Sequence, residues 1–332
     1  MDNTRRQLLF DNVDWTPVVS AIQASSSVHL VTHCMPDADG IGSQIALYVA
    51  LKQLGKRVVM HNRDAIPYIC GYLEHAQEIK SGVVDLPQDA DMVIALDAGS
   101  QARLGMDSSH FEGKLFLNID HHISNEMYGD IQLIDDRYCS TGAMIFDLLI
   151  KLDIPLDAAI ASAIYATVIT DTSSFRQSTV NGDVHRMVAN LIDAGANPYE
   201  SARALYFSHR HERFLLLPLA LSTLTIDDEG RSAWMYVDAS MYETSGGSAK
   251  DTEGFIDYAR SIGGVCVAVF IRREEDSWKV SMRGDGVNVG LISEQFGGGG
   301  HRYAAGFSTD MGLDVLMASL KQSVTRILNS SH

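Results

Sequence analysis

The sequence predicts an α/β protein with a predominantly parallel-sheet first domain and a smaller mixed α/β domain after it. Short apolar runs alternate with longer stretches of helical periodicity in the first half, the order that builds parallel sheets from crossover units. Two of those runs end abruptly on chemistry-bearing side chains, Asp97 after MVIAL and Asp120-His121-His122 after LFLNI. Beyond about residue 225, strand-like runs follow one another with a single clear helical stretch between them, as a mixed sheet would.

Val28 to Val31 reads as the first strand. The turn Met35-Pro36-Asp37-Ala38-Asp39-Gly40 and the helical pattern IGSQIALYVALKQLG complete a strand, loop and helix unit. Lys56 to Met60, Met92 to Leu96 and Leu115 to Ile119 are further runs suited to strands. Ligands of open α/β sheets gather at the C-terminal strand ends, where Asp37, Asp39, Asp97, His121 and His122 all fall. Helical patterns cover Thr141 to Leu152 and Leu156 to Thr170, and Asp171 then reaches back toward the same edge. From Val184 to about Leu224 the pattern is mostly helical, broken at Gly195-Ala196-Asn197-Pro198. The expected division is therefore a domain over 1–195, a helical linker over 196–224 and a second domain over 225–332. In that domain WMYVDAS, GGVCVAVFIRR, WKVSMR and AAGFS read as strands, Val287 to Phe296 as a helix, and GGGGH as a turn.

With 332 residues, 46% of them hydrophobic, the chain can fill a substantial core without disulfides. Cys34, Cys70, Cys139 and Cys266 form no CxxC pair, which removes zinc-knuckle and dithiol redox readings. No eighteen-residue apolar stretch occurs and the N-terminus lacks an apolar signal core, so the expectation is a cytoplasmic protein with no membrane partner. Forty-two acidic residues against 26 basic ones give a formal charge of -16, which repels a long phosphate backbone in the absence of any Lys/Arg stripe. Short anionic ligands stay compatible, because metals and a few placed bases overcome that charge locally.

Taken singly, each polar segment has two readings. HCMPDADG places His33, Asp37 and Asp39 four and two residues apart, suited either to a metal such as Mn2+ that accepts imidazole with carboxylate, or to a turn whose acids cap a helix. Asp97 at a buried strand end is either a metal bridge or a turn residue before Ala98-Gly99-Ser100. Asp120-His121-His122 is either a cap with surface histidines or a pair of imidazoles doing different work, and Asp171 is either a helix-end acid or a ligand. Together, four separate segments supply enough ligands for two ions. FGGGGH allows close backbone approach to an anion, with Arg283 as a directed phosphate contact; the alternative is a flexible strand connection. Neither GxxxxGK[ST] nor GxGxxG is present, Gly40-Ile41-Gly42-Ser43 is not a nucleophile elbow, and Cys34 beside His33 does not make a thiolate pair.

The ordered set His33-Cys34-Met35-Pro36-Asp37-Ala38-Asp39-Gly40-Ile41-Gly42-Ser43, Asp97, Asp120-His121-His122 and Asp171-Thr172-Ser173-Ser174-Phe175 resembles the DHH phosphoesterase superfamily. Arg283 and the segment from Gly297 to Gly306 resemble its DHHA1 substrate-binding domain, and the GGGGH motif resembles the nanoRNase group that acts on short RNA and 3'-phosphoadenosine 5'-phosphate (pAp). The resemblance implies one ion on His33, Asp37 and Asp97, a second on Asp39, Asp97, His121 and Asp171, and His122 as a catalytic contact to the phosphoryl group. Manganese is the expected ion, with magnesium or cobalt as alternatives. It further implies substrate contacts from Arg283, Gly297, Gly298, Gly299, Gly300 and His301. The implied reactions are release of mononucleotides from an end of short RNA and conversion of pAp to AMP and phosphate. Rival readings are a pApA or cyclic di-AMP phosphodiesterase, an inorganic pyrophosphatase, and an inactive nucleotide binder. Monomer and homodimer are both compatible with the sequence.

Overall fold

Buried apolar runs joined by crossover helices give the first part of the chain a parallel sheet. The protein is described by a computed structural model covering residues 6–82 and 90–330, with the side chain of His301 outside that description. Two compact units divide it, Met1–Ser208 and His209–His332. The first unit runs α1 (Thr16–Ala24), β1 (Ser27–Thr32), α2 (Ala38–Gln53), β2 (Arg57–Asn62), β3 (Lys80–Ser81), β4 (Met92–Leu96), β5 (Leu115–Asp120) and β6 (Ile131–Ile134). Four helices follow: α3 (Thr141–Lys151), α4 (Ala158–Asp171), α5 (Gly182–Asp193) and α6 (Pro198–Tyr206).

The strand order is β3-β2-β1-β4-β5-β6 with every pairing parallel. Direction of winding reverses between β1 and β4, so a crevice opens beyond their C-terminal ends. Both strands are buried along their whole length; β4 reads as an unbroken apolar run, and β1 as a mainly apolar one with His29 in its middle. Leu30, Ile94 and Leu117 pack with the apolar faces of α2, α3 and α4, while Val31, Val93 and Phe116 fill a smaller core on the opposite face. At Gly42 an added Cβ would lie 2.5 Å from the Ala163 carbonyl oxygen, so glycine is what lets α2 and α4 close on each other.

The long helical stretch after residue 184 is three helices. Gly195 at φ 114 ends one of them, and the Asn197 side chain caps the next, with Pro198 in its first turn. The boundary between units at Ser208 falls inside the expected linker: α6 belongs to the first unit and α7 (His211–Ser222) to the second.

The second unit continues with β7 (Thr225–Asp227), β8 (Ser232–Val237), α8 (Ala239–Ser245), α9 (Ile256–Arg260), β9 (Val267–Arg273) and β10 (Trp278–Gly284). It ends with α10 (Gly290–Gln295), β11 (Gly299–His301), β12 (Ala304–Thr309) and α11 (Leu313–Ser330). The sheet order is β11-β12-β10-β9-β8-β7, mixed because β8 and β9 run parallel while the other pairs are antiparallel. Leu316, Leu320, Val324 and Leu328 recur every fourth residue along α11 and cover one face; Leu216, Phe255 and Ile256 cover the other. The expected GGGGH turn needs correction, since Gly299–His301 form edge strand β11 against β12. Glycine backbone pairs there as any other would, and the turn before it lies at Phe296 and Gly297.

Candidate active site

Seven side chains meet at the C-terminal edge of the first unit's sheet. His33 follows β1, Asp97 follows β4, and His121 and His122 follow β5; adjacency of these three strands brings them within reach of one another. Asp37 and Asp39 lie at the start of α2, and Asp171 is the last residue of α4.

Asp37 caps a helix and also stands beside His33. One carboxylate oxygen accepts from the backbone N–H of Asp39 at 2.9 Å and of Gly40 at 3.2 Å, capping α2, and is also 3.8 Å from His33 Nε2. Asp39, two residues further on, is buried. Its two oxygens accept from the N–H groups of Thr141 at 2.8 Å and Gly142 at 3.0 Å, the open N-terminal end of α3. Asp97 holds a left-handed backbone, φ 57, and accepts from Thr141 Oγ1 at 3.0 Å. Aspartate tolerates that conformation better than most residues, and it turns the side chain back across the strand ends.

Donor atoms form three groups, His33, Asp37 and Asp97, then Asp39, His121 and Asp171, and also Asp97, His121 and His122, the atoms within each lying within 4.8 Å of one another. His121 Nε2 is 3.5 Å from Asp39 Oδ2, 3.4 Å from Asp171 Oδ2 and 3.8 Å from Asp97 Oδ1. Asp97 Oδ2, its other oxygen, is 3.7 Å from His33 Nε2. The histidine tautomers are set from behind. His33 Nδ1 donates to the Cys34 carbonyl at 2.8 Å and His121 Nδ1 to the Tyr138 carbonyl at 3.2 Å, so each presents Nε2 to the carboxylates. His122 differs: its Nδ1 donates to Asp120 at 2.6 Å, and Asp120 also accepts from the His122 backbone N–H at 3.2 Å and from Asn125 at 2.7 Å.

Without cations the carboxylates are in conflict. Burial, then the charges of Asp97, Asp171 and Asp37, push Asp39 well above the usual carboxylate range. Burial and neighbouring Asp97 and Asp37 likewise push Asp171 up to about 6, against the opposing pull of His121. For Asp97 burial acts upward too, but His33, His122 and His121 outweigh it and hold the group well below its ordinary value. Burial lowers His33 and His122, yet their carboxylate partners prevail and raise them to about 10 and about 9. Oxygen-rich trios with oriented Nε2 atoms and surplus negative charge fit divalent cations.

In the second unit, Arg283 on β10 and His301 on β11 both pair with Ala304 of β12, so they share one row across the sheet. Arg283 is half-buried and donates to the Met282 carbonyl at 3.1 Å. The His301 side chain lies outside the described residues.

Residues 27–168 match the model of the DHH family, N-terminal domain, and residues 236–328 that of the DHHA1 domain. The chain is 33% identical to the bifunctional oligoribonuclease and PAP phosphatase NrnA of Thermus thermophilus, over 91% of this chain and 88% of that protein. The chain belongs to the DHH family.

It is a hydrolytic phosphoesterase of the DHH/DHHA1 type. Its DHH fold is shared with an exopolyphosphatase-related protein from Bacteroides fragilis, at TM-score 0.86 and 22% identity over 96% of this chain and 98% of that one. RecJ from Thermus thermophilus, solved in complex with Mn2+, superposes at TM-score 0.53 and 14% identity, over 97% of this chain and 56% of RecJ. The histidine and carboxylate groups of this chain could hold metal ions. Sequence reasoning gave Asp120 only the role of a cap and gave none to Thr141 or Tyr138; the three orient His122, Asp39 and His121 respectively. Position beside the histidine pair was a usable signal for Asp120; Tyr138 acts through its backbone carbonyl and leaves none.

Proposed function

We propose that this DHH-family enzyme holds two divalent cations and hydrolyses short oligoribonucleotides to mononucleotides and pAp to AMP and phosphate. One observation carries the two-ion part: the two oxygens of Asp97 face different trios, Oδ2 toward His33 and Oδ1 toward His121. His33, Asp37 and Asp97 would hold one ion, and Asp39, Asp97, His121 and Asp171 the other. Mixed imidazole and carboxylate ligands suit manganese, with magnesium and cobalt as alternatives. When bound, such ions activate water at neutral pH and offset charge on phosphoryl oxygens.

The chain's own residues do the positioning. The N-terminal end of α3 fixes Asp39, and the Cys34 and Tyr138 carbonyls fix the two Nε2 ligands. Asp120 anchors Nδ1 of His122, so the opposite ring nitrogen is the one suited to polarise the phosphoryl group or to hand a proton to the leaving oxygen. In the DHHA1 domain Arg283, His301 and the glycines 297–300 would contact the terminal nucleotide. Support for the substrates comes from the Thermus relative, whose name carries both activities.

The test is an initial-rate panel with Mn2+-loaded protein and chromatography of every product. RNA of two to five nucleotides should give mononucleotides, and pAp should give AMP and phosphate. Turnover confined to pApA, cyclic di-AMP or pyrophosphate, with no other short RNA and no pAp consumed, would overturn the assignment.

A further inference from the structure

Arg103 stands beside the metal-ligand cluster with no part in it. The short turn Gln101–Leu104 follows β4, so one strand end delivers Asp97 and then Arg103. The Arg103 carbonyl accepts from the Cys34 N–H at 2.6 Å, which pins this turn to the end of β1. A guanidinium nitrogen lies 3.4 Å from His33 Nδ1. That same Nδ1 carries the proton given to the Cys34 carbonyl, so arginine and imidazole meet donor to donor. The guanidinium hydrogens are therefore not consumed by His33. Among the described residues Arg103 forms no ion pair with a carboxylate, although acids outnumber bases 42 to 26.

Arg63, just past β2, is a second exposed cation on this side. An added Cβ at Gly105, two residues beyond Arg103, would come within 2.9 Å of Arg63 Cγ and would overlap Cys34 Sγ. The adjacent Asp64 is turned away to accept the Met35 N–H at 2.8 Å. Arginine beside carboxylates normally pairs with one; a fork of donors held exposed beside a cluster that already has surplus negative charge is suited to an incoming anion.

We propose that Arg103 is a specificity residue that binds the substrate phosphate that is not cleaved. The trio of His33, Asp37 and Asp97 lies on the Nε2 side of the His33 ring and Arg103 on the Nδ1 side, so the anion that Arg103 receives is a second one. Substrates with two phosphate groups spaced by a nucleoside present such a pair, and AMP, the expected product from pAp, retains the uncleaved one. This rests on the proposed function for the identity of the substrate, but not for the existence of the anion contact.

The experiment compares wild type, Arg103→Ala and Arg103→Lys by equilibrium binding of AMP and of adenosine, with metal content measured in each. Wild type should prefer AMP, and Arg103→Ala should weaken AMP about 10- to 100-fold while adenosine changes little, as loss of a charged phosphate contact implies. Arg103→Lys, which keeps the charge and loses the fork, should fall between. In steady state, KM for pAp should rise more than kcat falls. No preference for AMP in wild type, equal weakening of AMP and adenosine, or loss of metal in Arg103→Ala would each overturn the proposal, the last marking Arg103 as a support for His33. An Arg103-dependent AMP preference in a protein that hydrolyses neither RNA nor pAp would sink the proposed reactions and leave this contact standing.

Discussion

Asp97 and His122 sit 3.5 Å apart and are expected to fail in different ways. Because the oxygens of Asp97 face both trios, Asp97→Asn should lower bound metal and cut turnover by roughly a thousandfold or more, the scale of losing an electrostatic centre. His122→Ala should retain metal while turnover falls about 100- to 10,000-fold, the range for a positioned proton-transfer group. Metal analysis beside initial rates separates the two, and equal metal loss in both variants would place His122 among the ligands. The glycine run divides in the same manner. Gly297 has a left-handed φ of 77, an added Cβ on Gly298 would overlap the Gly306 carbonyl, and one on Gly300 would come 2.6 Å from the Ala304 oxygen. Gly299 has neither constraint, with nothing within 4 Å of an added Cβ. Gly298→Ala should therefore destabilise the second unit by about 1–3 kcal/mol through overpacking. Gly299→Ala should melt within about 1 kcal/mol of wild type yet bind AMP more weakly, if backbone at 299 is where nucleotide approaches. Melting curves and AMP titration of both variants decide it; unchanged AMP affinity in Gly299→Ala would remove that approach.

Helix α3 couples the centre to the fold. Its N-terminal N–H groups hold Asp39, and two turns along, Asp147 accepts from the Leu9 N–H at 2.9 Å and the Tyr138 hydroxyl at 2.7 Å. Tyr138 in turn supplies the carbonyl that orients His121. Burial pushes the Asp147 carboxyl up to about 6, against the opposing bonds from Leu9 and Tyr138. A raised folded-state value means that the native chain binds the extra proton between about pH 4 and pH 6. Its contribution to stability is thus full below about pH 4 and is lost as pH rises through 6, about 3 kcal/mol in all for so buried a group. Asp147→Asn has no such loss, so its stability relative to wild type should improve from pH 4 to pH 7. Chemical denaturation at the two pH values, followed by hydrogen exchange in α3, would show this; a constant difference would refute it. Strand β4 was legible because a parallel strand buried on both faces leaves an unbroken apolar run with a polar residue after it, and β5 because only Asn118 interrupts its apolar run before Asp120. Helix α11 was not foreseen even though Leu316, Leu320, Val324 and Leu328 space its buried stripe regularly. The seven clustered residues were legible through their types and order, whereas Thr141 holds Asp39 and Tyr138 orients His121 by backbone groups that any residue carries.

Charge acts at the scale of the whole chain. A formal -16 spread over both units opposes extended polyanions, while the local donors at the centre favour one or two phosphates. Salt weakens both, with a screening length of about 10 Å at 0.1 M and about 3 Å at 1 M. A dinucleotide feels chiefly the local contacts, which salt erodes. Additional phosphates of a longer RNA extend over acidic surface, so screening relieves their repulsion. The ratio of kcat/KM for a twenty-nucleotide RNA to that for a dinucleotide should therefore rise several-fold between 0.05 M and 0.5 M salt. An enzyme that tracks long RNA on a basic surface gives the opposite sign, because released counterions make each extra contact salt-sensitive. Initial rates on the two substrates across a salt series measure the slope. A ratio that falls would mean that basic residues are gathered along a path that the net charge conceals.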